Sequence, residues 1–147
     1  MIDEVLDLDE QIFVFETVMR VRNTEVDIGQ HLTLEALTAL ISETRVRFLY
    51  SKGIKEIDAD YQGLIVDDLQ LNIVSLVRAR EELLFEMGVS LLTGDGGNIT
   101  TKVTRMYDGS TIAIAQQHFV NYDYRFNKVT TINNSIKQAL NQQLLDI

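Results

Sequence analysis

The chain has no cysteine, no proline and no tryptophan, and only two histidines among its 147 residues. Without cysteine there can be no disulfide framework, no thiolate metal site and no thiol nucleophile. The lack of proline points to no function by itself. No apolar run approaches the ~20 residues that a membrane span needs, and the N-terminal segment does not read as a signal peptide. A cytoplasmic location with no membrane partner is the expectation. Positive charge is scarce as well: 13 Lys and Arg stand against 22 Asp and Glu, a formal net charge of −9. That balance argues against nucleic acid, whose phosphates want a basic patch. A polyanionic ligand would have to find a local basic cluster, because the overall field repels it. No G-x-S-x-G elbow, P-loop, G-x-G-x-x-G or H-E-x-x-H is present. Two distant histidines with scattered carboxylates make no metal-ligand cluster. No cofactor is expected.

What is present is ordinary globular material, 46% hydrophobic and 24% charged, enough for one domain with an unstapled core. Residues 1–11 are acidic and read as an arm or a short helix. From Ile12 to Arg22 the chain alternates, with Phe13, Phe15, Thr17, Met19 and Val21 on one face. That is a half-buried strand, ended by the polar turn Asn23-Thr24-Glu25. A compact loop, Asp27-Ile28-Gly29-Gln30-His31, precedes a helix over 33–51. On that helix Leu34, Leu37, Leu40, Ile41, Thr44 and Phe48 recur at i, i+3, i+4 and i+7. Thr33 is its N-cap, Leu32 staples onto Leu37, Glu35 suits the dipole and Gly53 stops it. Glu43 and Arg47 are spaced to pair.

A polar loop, 54–63, leads into four strands. In 64–77, Leu69, Leu71, Ile73 and Val77 are expected to face inward and Gln70 and Asn72 outward. In 81–92 the inward set is Leu83, Phe85, Met87, Val89 and Leu91. Gly94-Asp95-Gly96-Gly97 is a strong turn signal, so the next strand should start near Asn98. Asp108-Gly109 predicts a type I′ hairpin before the last strand, 111–124. Residues 132–145 read as a terminal helix, with Ile136, Leu140 and Leu144 on one side. Successive strands joined by short turns mean an antiparallel sheet, with the long helix across one face. The fold class is therefore α+β.

Asp27 is the best candidate for chemistry. A carboxylate a few residues before a helix sits near free backbone N–H groups and the positive dipole end. Such N–H groups can polarise a carbonyl oxygen without any side chain. Against that, Asp27 could simply cap a turn. His31 could orient Asp27 or be an ordinary hydrogen-bonding residue, and His118 reads as structural. Gly29 is expected to supply a backbone conformation closed to other residues. Glu43 either faces a pocket or pairs with Arg47.

Asp27, Gly29, His31, Glu43 and Arg45, with the order strand, loop, long helix and four strands over about residues 12–131, resemble the 4-hydroxybenzoyl-CoA thioesterase-like hotdog family. Its signature runs roughly D-x-x-G-H-x-N-N…E-A-R. Here the glycine comes one position early, Thr33 and Leu34 replace the Asn pair, and Thr44 replaces the Ala. The resemblance implies a single hotdog domain over 1–147, a long central helix wrapped by a five-stranded sheet, with 132–147 as an added C-terminal helix. It implies hydrolysis of an acyl-CoA (or acyl carrier protein) thioester by Asp27, supported by His31, with the backbone N–H of Leu34 polarising the carbonyl. Gly29 and Thr33 would then shape the site loop, and Glu43 is the reserve acid, because another branch of these enzymes uses a helix-borne Glu. Self-association as a dimer or tetramer, with the site between subunits, is also implied. Candidates for the coenzyme's phosphates are Arg78, Arg80, Lys102, Arg105, Arg125 and Lys128. The rival is a non-catalytic hotdog module that binds acyl-CoA or a protein partner. A hotdog dehydratase or hydratase ranks last, because the Asp27–His31 loop does not match its signature.

Overall fold

Strand β1 (Phe15–Arg20) is followed by a 3-10 turn (Asn23–Glu25) and by helix α1 (Leu34–Ser51). Four strands then run in succession: β2 (Gln62–Ile73), β3 (Glu82–Leu92), β4 (Gly96–Arg105) and β5 (Thr111–Asp123). A two-residue strand β6 (Lys128–Val129) and helix α2 (Asn134–Leu140) complete the order. The computed structural model describes residues 12–141. The expected acidic arm over 1–11 and the part of the terminal helix beyond 141, Leu144 included, lie outside the described residues.

All strand pairs are antiparallel, in the order β1-β3-β4-β5-β2, with β6 added to β5. Helix α1 lies on one face of this sheet, the hotdog arrangement. Its start and stop are local chemistry. Thr33 accepts the Ala36 N–H at 3.1 Å, a side-chain cap. After Lys52 the chain leaves the helix through Gly53, whose φ of +73° suits a residue without Cβ. The buried stripe is Leu37, Leu40, Ile41, Thr44 and Phe48. Thr44 satisfies its hydroxyl on the Leu40 carbonyl at 2.9 Å, so its burial leaves no orphan donor.

The stripe meets the sheet in two clusters. Toward the N-terminus of α1, Leu37, Leu40 and Ile41 belong to one core with Leu83, Phe85 and Val103. Toward its C-terminus, Phe48 joins Met87, Ile99, Phe119 and Leu140 of α2. Each such fully buried side chain contributes roughly 1.5–3 kcal/mol. Among the described residues no helix is long and apolar enough to cross a membrane.

The structure departs from the sequence expectations in several places. Leu34 is half exposed, because in the first turn its side chain leans toward the helix N-terminus, beyond the core. A bulge between Val89 and Leu91 reverses the alternation of β3, so Leu92 packs inward and Leu91 is exposed. A second bulge, between Val66 and Asp68, interrupts β2, and Leu69 is 37% exposed rather than buried. Asn72, expected outward, is buried beside its cross-strand partner Ile114. Strand β4 begins at Gly96, two residues before Asn98, because Thr93 and Gly96 close the turn between them. The Asp108-Gly109 turn is not type I′: Gly109 alone has a positive φ there, in a longer loop closed by Arg105 N–H on Ser110 O.

Candidate active site

The segment between β1 and α1 is anchored at every step. Val21 donates its N–H to the Glu81 carbonyl at 2.9 Å. Glu25 accepts from the Arg22 N–H at 2.7 Å and from the Arg22 guanidinium at 3.2 Å. Its own carbonyl accepts from Thr33 at 3.0 Å, which ties the 3-10 turn to the helix cap. Val26 and Leu32 then form an antiparallel bridge, and Leu32 also donates to the Val77 carbonyl at 2.7 Å. His31 forms a second bridge with Arg78. Between these anchors Asp27, Ile28, Gly29 and Gln30 are exposed.

The Asp27 carboxylate is exposed and accepts one hydrogen bond, from the His31 N–H to Oδ1 at 3.1 Å. The loop closes through Asp27 N–H on His31 O and Gln30 N–H on Asp27 O, both 2.9 Å. Gly29 does not supply the special backbone conformation expected of it. The left-handed residue is Gln30, with φ +68°, the position at which the family pattern carries its glycine. Gly29 instead keeps space: a Cβ there would lie 3.3 Å from Asp27 Oδ1 and 3.6 Å from His31 Nδ1. The carboxylate and the imidazole therefore flank one small gap. A neighbouring Ile28 is fully exposed, a feature that sequence reasoning passed over; its only signal was an isoleucine in a polar loop.

Thr33 caps the helix beside this loop. Leu34, as the first helical residue, keeps its N–H free of any intrahelical acceptor. Asp27, His31, Thr33 and Leu34 are thus drawn together at one end of α1. Glu43 is not part of that group. It lies nine residues further on, roughly 13 Å along the axis, and pairs with Arg47 at 2.8 Å. Arg47 also donates to Thr17 Oγ1 at 2.8 Å, which fixes the pair over β1. His118 stands elsewhere, on β5, with Nδ1 2.6 Å from Asp67 Oδ1.

A larger cavity opens at the opposite end of α1. It is a cleft of about 880 Å³ between the last turns of the helix, the 53–57 loop and β2, walled by Val46, Leu49, Ile54 and Leu64, with Tyr50 and Tyr124 at its sides. The loop can lie this close to β2 because Gly63 has no Cβ where the Glu56 carbonyl sits. Arg45, Lys55 and Glu56 are its charged residues. Burial in the cleft holds the Arg45 guanidinium below its ordinary value. Of the basic candidates named from sequence, Arg105 is committed to Glu81, Ser110 and the Leu76 carbonyl. Arg125 and Lys128 both lie 5.7 Å from the exposed Phe126 ring, just beyond Tyr124 in sequence, and Arg125 also stands 3.9 Å from Asp123 Oδ1.

No family model matches the chain and no curated protein matches it by sequence. Solved structures do match. A 1,4-dihydroxy-2-naphthoyl-CoA thioesterase from Synechocystis superposes with a TM-score of 0.79 at 13% identity, over 86% of this chain and 94% of that one. A Staphylococcus aureus protein solved in complex with CoA gives 0.83 at 14% identity, over 89% and 84%. A probable thioesterase from Escherichia coli gives 0.76 at 20% identity, over 88% and 98%. The chain shares the fold of these proteins over 86–89% of its length.

Proposed function

We propose that the protein hydrolyses an acyl-CoA thioester to the free acid and coenzyme A, with Asp27 as the group that attacks or activates water. The observation that carries this reading is the Asp27 carboxylate itself. It is held by a hydrogen-bonded loop, keeps open coordination on one oxygen, and stands at the N-terminal end of a helix whose first N–H is free. In the water-activating route, Asp27 takes a proton as the water oxygen bonds to the thioester carbon. The oxyanion faces the Leu34 N–H and the dipole end. Collapse breaks the C–S bond, and the thiolate leaves with the proton that Asp27 held. In the nucleophilic route Asp27 forms an acyl anhydride that water then opens. His31 holds the carboxylate through its backbone N–H and lines the gap with its ring. The solved thioesterases of the same fold support the reading as a thioester hydrolase.

The site is completed by a second copy. Strand β2 is a sheet edge twelve residues long, and a long edge needs a partner or protection. Asp27 lies beyond the Ile73 end of β2, where His31 and Leu32 meet Arg78 and Val77. The cleft lies at its Gln62 end, where Leu64 lines it. Along one strand these ends are roughly 36 Å apart at about 3.3 Å per residue, too far for one acyl group. Antiparallel pairing of two β2 edges brings the Asp27 of one copy beside the cleft of the other. Exposed Ile28, Leu34 and Leu69 would then be covered. Arg125 and Lys128, at the rim by Tyr124, would meet the coenzyme phosphates.

The test is a panel of short, long and aromatic acyl-CoAs with thiol detection, together with sedimentation equilibrium. Turnover of at least one thioester and a mass at twice or four times 16.7 kDa are expected. Acyl-CoA binding without thiol release across the panel supports the non-catalytic module, and a clean monomer at micromolar concentration removes the shared site.

A further inference from the structure

Arg45 is partly buried in the wall of the cleft, yet no carboxylate, carbonyl or hydroxyl among the described residues meets its guanidinium. The other arginine on α1 behaves differently: Arg47, two residues on, is bound to Glu43 and Thr17. A guanidinium stays charged at any physiological pH, even where burial disfavours the charge. Charges withdrawn from water are normally paired, because an unpaired one is costly. The cleft is therefore built around a cation that no described residue pairs. Its charged lining is two cations, Arg45 and Lys55, against one acid, Glu56, in a chain of net charge −9.

From this geometry we infer that the cleft takes an acyl group with an apolar stem and a terminal carboxylate, the half-thioester of a dicarboxylic acid, with Arg45 as its specificity-determining residue. The inference rests on the thioesterase reading and names its substrate class. The stem packs on Val46, Leu49, Ile54 and Leu64, and the carboxylate meets the planar fork of Arg45. An anionic group could also come from the coenzyme's phosphates. The mostly apolar wall favours a single charge on a hydrocarbon stem over a doubly charged, strongly hydrated phosphate.

The experiment compares wild type with Arg45→Gln on matched acyl thioesters of equal length, one series ending in methyl and one in carboxylate. Each series is made both on coenzyme A and on pantetheine, which lacks the phosphates. The expected result is a loss of roughly 10–100-fold in kcat/KM for the carboxylate series, the span of a hydrogen bond to a charged group, on both carriers. The methyl series should change less than about threefold. An equal loss in both series, or a loss confined to the coenzyme A carrier, assigns Arg45 to the phosphates and overturns the inference. A shift of Arg45→Gln from dimer to monomer in sedimentation overturns it too, because the missing anion then belongs to the second copy. A final arm needs no hydrolysis: thermal shift with a free α,ω-dicarboxylate against the monocarboxylate of the same length. Stabilisation by the dicarboxylate that disappears in Arg45→Gln keeps the cleft assignment even if no thioester is turned over. No such stabilisation in a protein that does hydrolyse thioesters counts against the cleft alone.

Discussion

Two of the loops that join an aspartate with a nearby glycine differ in how completely each is satisfied. At the β4–β5 turn, Asp108 accepts from both the Ser110 N–H at 2.9 Å and the Ser110 hydroxyl at 2.6 Å. The left-handed position of that turn is filled by Gly109, φ +74°, the residue that adopts it without strain. Before α1, Asp27 accepts a single bond at 3.1 Å, and the left-handed position is filled by Gln30, with Gly29 displaced to the place beside the carboxylate. The first loop follows the rules for a stable turn. The second breaks two of them; Tyr61, Arg80 and Asn127 also take left-handed backbone, so it is the open carboxylate that sets this loop apart.

Replacing each aspartate in turn should separate the two loops most widely. Asp27→Asn keeps the size of the side chain and its ability to accept from His31, so stability should change by about 1 kcal/mol or less. The amide is neither base nor nucleophile, so kcat should fall roughly 10²–10⁴-fold with little change in KM. Asp108→Asn should leave kcat within about twofold. Steady-state kinetics on the best thioester of the panel reads both. If Asp27→Asn keeps near-wild-type turnover while Glu43→Gln abolishes it, the helix-borne acid is the catalyst despite its pairing with Arg47.

Gly29→Ala tests the displaced glycine. The new methyl would stand 3.3 Å from Asp27 Oδ1, tighter than side chains normally pack, so the carboxylate must turn. The backbone φ there is ordinary, and folding should be nearly unaffected. A fall in kcat of about tenfold is expected, since small misplacements of a reacting group are costly. Unchanged kcat would mean that the gap between Asp27 and His31 has no part in the reaction.

The legible parts of this chain are those whose causes are local. The cap at Thr33, the stripe from Leu37 to Phe48 and the stop at Gly53 all act within a few residues, and the helix emerges where they place it. Strand alternation is local too, but a bulge is one unmarked extra residue, and it moved Leu91 outward and Leu92 inward. Leu34 read as stripe because a wheel has no ends. The strain at Gln30 is imposed by the bridge between Val26 and Leu32 and by the tie from Leu32 to Val77, a partner 45 residues away that no local pattern marks. Arg45 was visible as a motif residue. That no described residue supplies its counter-charge is a fact about the whole fold.

The left-handed positions give a smaller contrast, read in urea unfolding. Gly109→Ala puts a Cβ into a conformation that costs an L-residue ~1–2 kcal/mol, and the midpoint should fall accordingly. Gln30→Gly relieves a similar strain, but the glycine also frees the unfolded chain, which costs about 0.4–1 kcal/mol. The two terms oppose, and their difference leaves a gain between about zero and about 1.5 kcal/mol. A larger gain in stability would show that Gln30 holds more strain than its φ implies. A large loss would show that its side chain holds the loop.

The smallest effect is on the acid side of the Asp108 turn. Hydrogen bonds from the Ser110 hydroxyl and then the Ser110 N–H, aided by the charge of Arg105, hold the Asp108 carboxyl below its ordinary value. A carboxyl depressed in the folded state favours folding above its unfolded pKa of ~3.9, and that benefit is lost as the pH falls through the folded value. The difference in urea midpoint between wild type and Asp108→Asn should therefore be constant above about pH 5 and shrink as the pH is lowered below about 4. The group is fully exposed, so the difference should also weaken in high salt, because charge effects at the surface are screened. A gap that persists unchanged at acid pH would mean that the turn depends on the shape of the side chain and not on its charge. The contrast with the Asp27 loop would then rest on Gly109 alone.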